Sequence, residues 1–174
     1  MSNVKFDFTG ENFVVTGASS GMGRQVALEL AQSGAKVLGI ARREDRLREL
    51  QAQFPSNVFV ASLDVCNSEQ MECAIQEFVA INGKLHGGVH AAGINNFTPL
   101  KAYDKNLAHN IMDISFWAGV ELVVFLSNIG FSLSNAKCRM QNAELRSRLC
   151  RQFQFVRPSR SQSFCILHFT FCIA

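Results

Sequence analysis

Three closely spaced glycines near the start of the chain constrain its fold more than any other feature. Gly17, Gly21 and Gly23 lie in the segment TGASSGMG, directly after a β-branched and aromatic run that predicts a strand over Asn12–Thr16. Residues 23–33 have the apolar spacing of a helix. A strand, a glycine-rich turn and a helix in this order are typical of the phosphate-binding turn in a βαβ unit.

Each glycine of this turn has its own physical reason. Gly17 permits a sharp turn off the strand, Gly21 lets backbone approach a pyrophosphate, and Gly23 lets the helix pack closely. The helix N-terminus then offers free N–H groups and a positive dipole end to phosphates. Glycines also occur in ordinary turns, but a strand before and a helix after favour a dinucleotide site. The turn residues expected to contact the dinucleotide are Gly17, Ser19, Ser20, Gly21, Met22 and Gly23.

Further strands and helices follow in alternation as far as residue 126. The predicted strands are Lys36–Ala41, 58–65 and 85–92, and the predicted helices are 43–54, 69–81 and 104–126. Alternation of this kind gives parallel βαβ units with right-handed crossovers. The sequence therefore predicts an α/β fold, a Rossmann-type doubly wound parallel sheet with strand order 3-2-1-4. We expect this sheet to be incomplete, because no further strands are recognisable.

The residues at the end of the second predicted strand discriminate between cofactors. NAD-binding folds place an acid there, about 20 residues after the glycines, to bond the ribose 2′-hydroxyl. Ala41 occupies this position, and Arg42 and Arg43 follow it. Two guanidinium groups could hold a 2′-phosphate, which predicts NADP(H) as the cofactor. Alternatively, both arginines solvate the start of a charged helix, where Glu44 and Asp45 neutralise them.

Several segments together resemble the short-chain dehydrogenase/reductase family. TGASSGMG is similar to its T-G-x-x-x-G-x-G signature, and LDV at residues 63–65 to the end of its third strand. HAAG at residues 90–93 is similar to its N-N-A-G segment, with both asparagines replaced. DISF at residues 113–116 is similar to the helix segment that carries an asparagine, with Ser115 in its place. The resemblance covers about residues 6–123.

The resemblance implies further cofactor contacts and agrees with the choice of cofactor. The additional residues it implies at the cofactor are Asp64, Val65, Ala91, Ala92 and Gly93. Of these, Asp64 is expected to contact the adenine. Ala41 followed by Arg42 is similar to the pattern of NADP-preferring members.

The proton-transfer residues of this family are not recognisable in the chain. Its reaction, hydride transfer between nicotinamide and a carbonyl or alcohol, needs a tyrosine and a lysine one helical turn later. The single tyrosine, Tyr103, precedes Leu107 by four residues, and no Y-x-x-x-K occurs. Ser127, Ser132 and Ser134 are candidate substrate serines by position alone. We therefore assign no catalytic residue and expect the chain to be inactive. A small carbonyl or alcohol would be its substrate only if catalysis were intact. The alternative is a non-catalytic NADP(H)-binding module or a partner of an intact homologue.

Charge composition changes near residue 129. Residues 1–129 hold ten Lys plus Arg and thirteen acids, whereas residues 130–174 hold seven and one. We predict an NADP(H)-binding Rossmann-type portion over residues 1–129 and a basic, Cys/Phe/Ser-rich tail over residues 130–174. The break motivates the hypothesis of a truncated or frame-shifted reductase. An uncovered fourth strand would then favour homo-oligomers or aggregation through the sheet edge.

Other functional classes are disfavoured by composition. A net charge of +3 is too small to argue for nucleic acid, and the N-terminus lacks an apolar signal region, so we expect a cytoplasmic protein. The apolar stretch over residues 111–131 contains Asp113 and Glu121, which predicts a buried amphipathic helix rather than a membrane span. His86 and His90 would lie about 13 Å apart on a strand, and no cysteine pair has metal-ligand spacing, so no metal is expected.

Overall fold

Strands and helices alternate along the chain as predicted. The computed structural model describes residues 6–96 and 99–129; the predicted basic tail lies outside them. The strands are β1 Asn12–Thr16, β2 Lys36–Ala41, β3 Val58–Ser62 and β4 Gly87–His90. The helices are α1 Gly21–Gln32, α2 Glu44–Gln53, α3 Ser68–Asn82, α4 Lys105–Met112 and α5 Ala118–Asn128, with a 3₁₀ turn at Leu100–Ala102 and a π turn at Asp113–Trp117. The predicted α/β class is confirmed.

The four strands form one parallel sheet in the order β3-β2-β1-β4. Val14 of β1 pairs in register with Leu38 of β2 and Gly88 of β4, and Leu38 continues the row to Phe59 of β3. All carboxyl ends of the strands therefore lie along one edge, where ligands of open α/β sheets bind. The predicted strand order is confirmed, and the glycine-rich turn lies at this edge because it follows β1 directly.

Helices cover both faces of the sheet, so the core has two apolar clusters. On one face, Val14 and Ile40 pack with Leu122 of α5 and with apolar residues of α3. On the other face, Val15 and Leu47 belong to the cluster formed with α1 and α2. Burial of five of the six β2 residues follows from this sandwich and agrees with the near-continuous apolar sequence of that strand.

β4 is four residues shorter than its predicted range, and side chains join the backbone hydrogen bonds to β1 at both of its ends. At its start, Nδ1 of His86 accepts the backbone N–H of Asn12 at 3.0 Å. At its end, the hydroxyl of Thr16 accepts the N–H of Ala91 at 3.2 Å. The ladder is therefore regular only over Gly87–His90.

The last predicted helix forms, but only one of its faces is buried. α4, the π turn and α5 run together as one helix over Lys105–Asn128. Ile114, Ala118 and Leu122 of the predicted apolar stripe are buried against the sheet. The large apolar residues exposed on this helix include Met112, Trp117, Val120 and Val124. The prediction of a buried amphipathic helix is therefore right for the sheet-facing side and wrong for the outer side.

By length and composition this helix would also be able to cross a membrane. Its most apolar window has a mean hydropathy of 1.4, and it is the one helix of this kind among residues 6–96 and 99–129. Core helices of folded domains meet the same criterion. The hydroxyl of Ser68 in α3 donates to the carboxylate of Glu121 at 2.6 Å, which fastens the inner side of this helix to the rest of the fold.

Candidate functional site

The glycine-rich turn packs against the segment that follows β4. Gly17 has a φ of +71°, and a Cβ built on it would lie 2.6 Å from the carbonyl carbon of Ala91 and 2.7 Å from the nitrogen of Ala92. A Cβ on Gly23 would lie 2.5 Å from the carbonyl oxygen of Gly17. Glycine at position 23 therefore lets α1 pack closely against the turn as well as near the sheet. A Cβ on Gly21 would meet nothing within 4 Å, which leaves room for a ligand on that side.

The N-terminus of α1 has the character of an anion site. Ser20 precedes the helix in an extended conformation, and no side chain caps the first turn. No acidic residue lies in that turn. Within the described part of the chain, the positive end of the helix dipole is therefore not offset locally, and it lies beside the open side of Gly21.

Arg43 joins the end of β2 to this turn. Its Nη2 donates to the hydroxyl oxygens of Ser19 at 3.1 Å and Ser20 at 2.6 Å. The side chain of Arg42 is exposed, and its backbone carbonyl accepts the hydroxyl of Ser62 at 3.2 Å. Sequence reasoning treated the two arginines alike, whereas the structure brings the guanidinium of Arg43 to the glycine-rich turn.

The acids at the start of α2 pair with later arginines. Arg48 donates to the Glu44 carboxylate at 2.6 Å, and Arg46 lies 4.0 Å from the carboxylate of Asp45. These are exposed pairs of small energetic value, and within the described residues neither acid forms an ion pair with Arg43.

The end of β3 contributes Asp64 to the same edge of the sheet. β3 stops at Ser62 instead of residue 65, because the carboxylate of Asp64 accepts the N–H of Cys66 at 3.0 Å and turns the chain. Asp64 is exposed, whereas the side chain of Val65 belongs to the core. Partial burial raises the pKa of the Cys66 thiol, and the nearby Asp64 carboxylate adds to the rise. This thiol therefore stays protonated at neutral pH and is a poor nucleophile.

A buried threonine fixes the segment after β4. The hydroxyl of Thr16 accepts the backbone N–H groups of Ala91 at 3.2 Å and Ala92 at 3.4 Å, and it bonds with His90 Nδ1 at 2.9 Å. Gly93 remains exposed at the sheet edge. Sequence reasoning assigned no role to Thr16 or His90. The one sequence signal was the polar Thr16 at the last position of a buried strand, because a buried polar group must form hydrogen bonds.

The groups expected for hydride transfer do not come together. Tyr103 is 64% exposed ahead of α4, and the residue one turn later is Leu107, so no tyrosine–lysine pair exists in the described residues. Ser127 donates to the carbonyl of Val124 at 2.7 Å on α5, and the two later candidate serines lie outside the described residues. Over residues 6–96 and 99–129, no group of three or more His, Cys, Asp or Glu residues is placed to hold a metal ion.

A Rossmann-type sheet with this turn defines a dinucleotide-binding class of protein. The family model described as short chain dehydrogenase matches residues 11–129. The chain therefore belongs to the short-chain dehydrogenase family. "11-beta-hydroxysteroid dehydrogenase-like 2" of Arabidopsis thaliana is 37% identical over 122 residues, which are 67% of this chain and 40% of that protein. A benzil reductase ((S)-benzoin forming) of Saccharomyces cerevisiae is 31% identical over 153 residues, 76% of this chain and 57% of that protein.

Solved structures agree with this membership. The L-sorbose reductase from Gluconobacter frateurii, solved with NADPH and L-sorbose, matches with a TM-score of 0.65 and 25% identity. The match covers 72% of this chain and 49% of that protein. The chain thus spans between 40% and 57% of the length of the three relatives described.

Proposed function

We propose that this chain binds NADP(H) as the nucleotide-binding portion of a short-chain dehydrogenase/reductase and does not itself transfer hydride. The observation that carries the proposal is the guanidinium of Arg43 on the hydroxyls of Ser19 and Ser20. Ala41 stands where NAD-binding proteins carry an acid, so no carboxylate at that position repels a 2′-phosphate. The exposed Arg42 adds a second positive charge nearby. The NADPH bound by the L-sorbose reductase supports the same choice of cofactor.

Replacing Arg43 with alanine is expected to weaken NADPH binding about 10–100-fold, because a hydrogen bond to a charged group contributes about 1.5–3 kcal/mol. NADH lacks the 2′-phosphate, so its affinity should change much less. Arg42→Ala should have a smaller effect of the same sign. Titrations of the wild-type chain and of both variants, followed by NADPH or NADH fluorescence, measure the affinity of each protein for each nucleotide.

Arg46 provides a matched control for this experiment. It is an arginine of α2 whose nearest acids are Asp45 and Glu49, and its side chain is 55% exposed. Arg46→Ala should leave both affinities unchanged. Equal losses of NADPH and NADH affinity in Arg43→Ala would contradict the 2′-phosphate role, and a folded wild-type chain that binds neither nucleotide would contradict nucleotide binding altogether.

The purified chain is expected to show no NADPH-dependent reduction of a small carbonyl compound. The sequence contains no tyrosine with a lysine four residues later. In this pair the tyrosine would supply the proton and the lysine would lower the pKa of the tyrosine. Consumption of NADPH, followed by its absorbance with benzil as a test carbonyl, measures this. The yeast benzil reductase serves as the positive control. Turnover above the rate without protein would refute the inactivity and require another acid/base.

The open side of β4 favours a second candidate function, as a partner of an intact homologue. β4 pairs with β1 on one side, and among the described residues no strand lies on its other side. Unpaired backbone groups on such an edge are a template for another strand. In this case, sedimentation of the chain mixed with an intact family member should reveal a complex, whereas two independent species would exclude it.

A further inference from the structure

The imidazole of His90 connects three elements around the nucleotide site. Its Nδ1 lies 2.9 Å from the hydroxyl of Thr16 at the end of β1, and its Nε2 lies 3.0 Å from the carbonyl oxygen of Ile114 in the π turn. Gly119 of α5 packs against the ring, since a Cβ built there would lie 2.9 Å from Cδ2 of His90. The ring is therefore held between two strand ends and the last helix.

The partners of the ring determine which of its nitrogens carries the proton. The carbonyl of Ile114 can only accept, so Nε2 must donate to it. The hydroxyl oxygen of Thr16 accepts the N–H of Ala92 and shares the N–H of Ala91 with the backbone carbonyl of Thr16, so its own hydrogen can point to Nδ1. We infer from these partners a proton on Nε2 and none on Nδ1 of His90.

The contact with Ile114 falls where the helix departs from regular geometry. The N–H of Ala118 bonds to the carbonyl of Asp113, five residues earlier, which is the pattern of a π turn. Single π turns inside α-helices are rare and occur frequently at functional sites. The carbonyl that His90 binds belongs to the next residue, so the histidine contacts the widened turn directly.

We propose that His90 is a positioning residue for the dinucleotide, a role that rests on the proposed NADP(H) binding. Its two hydrogen bonds hold Thr16 and the π turn on either side of the segment after β4. Thr16 in turn holds Ala91 and Ala92 against Gly17, within 2.7 Å of the place where a Cβ would lie. The histidine thereby forms the wall of the phosphate-binding turn before a ligand arrives, which reduces the ordering cost of binding.

Two alanine variants separate positioning from simple stabilisation. His90→Ala should weaken NADPH and NADH binding alike by about tenfold, the equivalent of losing one hydrogen bond. His86→Ala is the matched control, because His86 is also half-buried and accepts one backbone N–H, from Asn12, at the opposite end of β4. It should lower the thermal midpoint of unfolding by a similar amount and leave both affinities within about twofold.

A second measurement does not depend on ligand or on the folding of a variant. In a long-range ¹H–¹⁵N spectrum of the wild-type chain at neutral pH, the His90 ring should have a protonated Nε2 and an unprotonated Nδ1. The opposite tautomer, or an average of both, would overturn the proposed bonding and with it the positioning role.

The affinities also distinguish the positioning role from the proposed function. A wild-type chain that binds neither nucleotide overturns the proposed function and the positioning role together. A wild-type chain that binds, with a His90→Ala variant that binds equally well or a His86→Ala variant that loses as much, overturns the positioning role alone.

Discussion

Gly17→Ala is expected to lower the affinity for NADPH by at least about 100-fold. The added Cβ would lie 2.6 Å from the carbonyl group of Ala91, and backbone on both sides prevents easy relief. The turn would have to move away from the segment that follows β4, and the N–H groups facing the phosphates would move with it. Fluorescence titration with NADPH gives the affinity, and urea unfolding shows whether the variant is folded.

Gly83→Ala separates the effect of steric contact on nucleotide affinity from the effect of backbone strain. Gly83 follows α3 with a φ of +86°, comparable to that of Gly17, but a Cβ on it would meet nothing within 4 Å. Both variants should lose about 1–3 kcal/mol of stability from their positive-φ backbone alone. Only Gly17→Ala should also lose nucleotide affinity. If the two variants bound NADPH equally well, the contact between Gly17 and Ala91 would have no role in binding.

Ile40→Ala is expected to lower the free energy of unfolding by about 2–5 kcal/mol, because it removes a fully buried branched side chain and leaves a cavity. Ile40 lies in β2, paired with Thr16 of β1 and Ala61 of β3, and packs in the cluster shared with α3 and α5. Domains of this size are stable by only about 5–15 kcal/mol, so the loss is a large fraction of the total. Urea unfolding followed by circular dichroism measures it.

Ile81→Ala is the matched control for this cavity. Ile81 lies on α3 and is 72% exposed, so its truncation should change the free energy of unfolding by no more than about 0.5 kcal/mol. Similar urea midpoints for the two isoleucine variants would show that β2 is not the centre of the folded core.

The regular parts of the fold followed from local pattern. The bounds of β1 and β2 were predicted residue for residue, because each has a mainly apolar sequence that two layers of helices cover. The end of β3 depends on the carboxylate of Asp64, and the ends of β4 depend on partners more than 70 residues away in sequence, such as Thr16 for Ala91. Periodicity carries no information about such distant bonds.

The candidate site was predicted in composition but not in detail. The glycines and the pair of arginines were recognisable because their chemistry depends on residue type and spacing. The choice of Arg43 over Arg42 was not, since it depends on which side chain turns back toward Ser20 at the start of α2. His90 was considered as a metal ligand and excluded, and its bond to Ile114 depends on a π turn that no sequence pattern indicated.

The placement of β1 between β2 and β4 has a consequence for the order of folding. The β1–β2 pair can form from neighbouring parts of the chain, but the bond between Thr16 and His90 closes a loop of 74 residues. Contacts of such high sequence separation form later than local ones as a rule. We therefore expect the wall of the nucleotide site to form after the β1–β2 pair. If the proposed site binds nucleotide once β4 has docked, the ligand would retard unfolding and not guide the earlier steps.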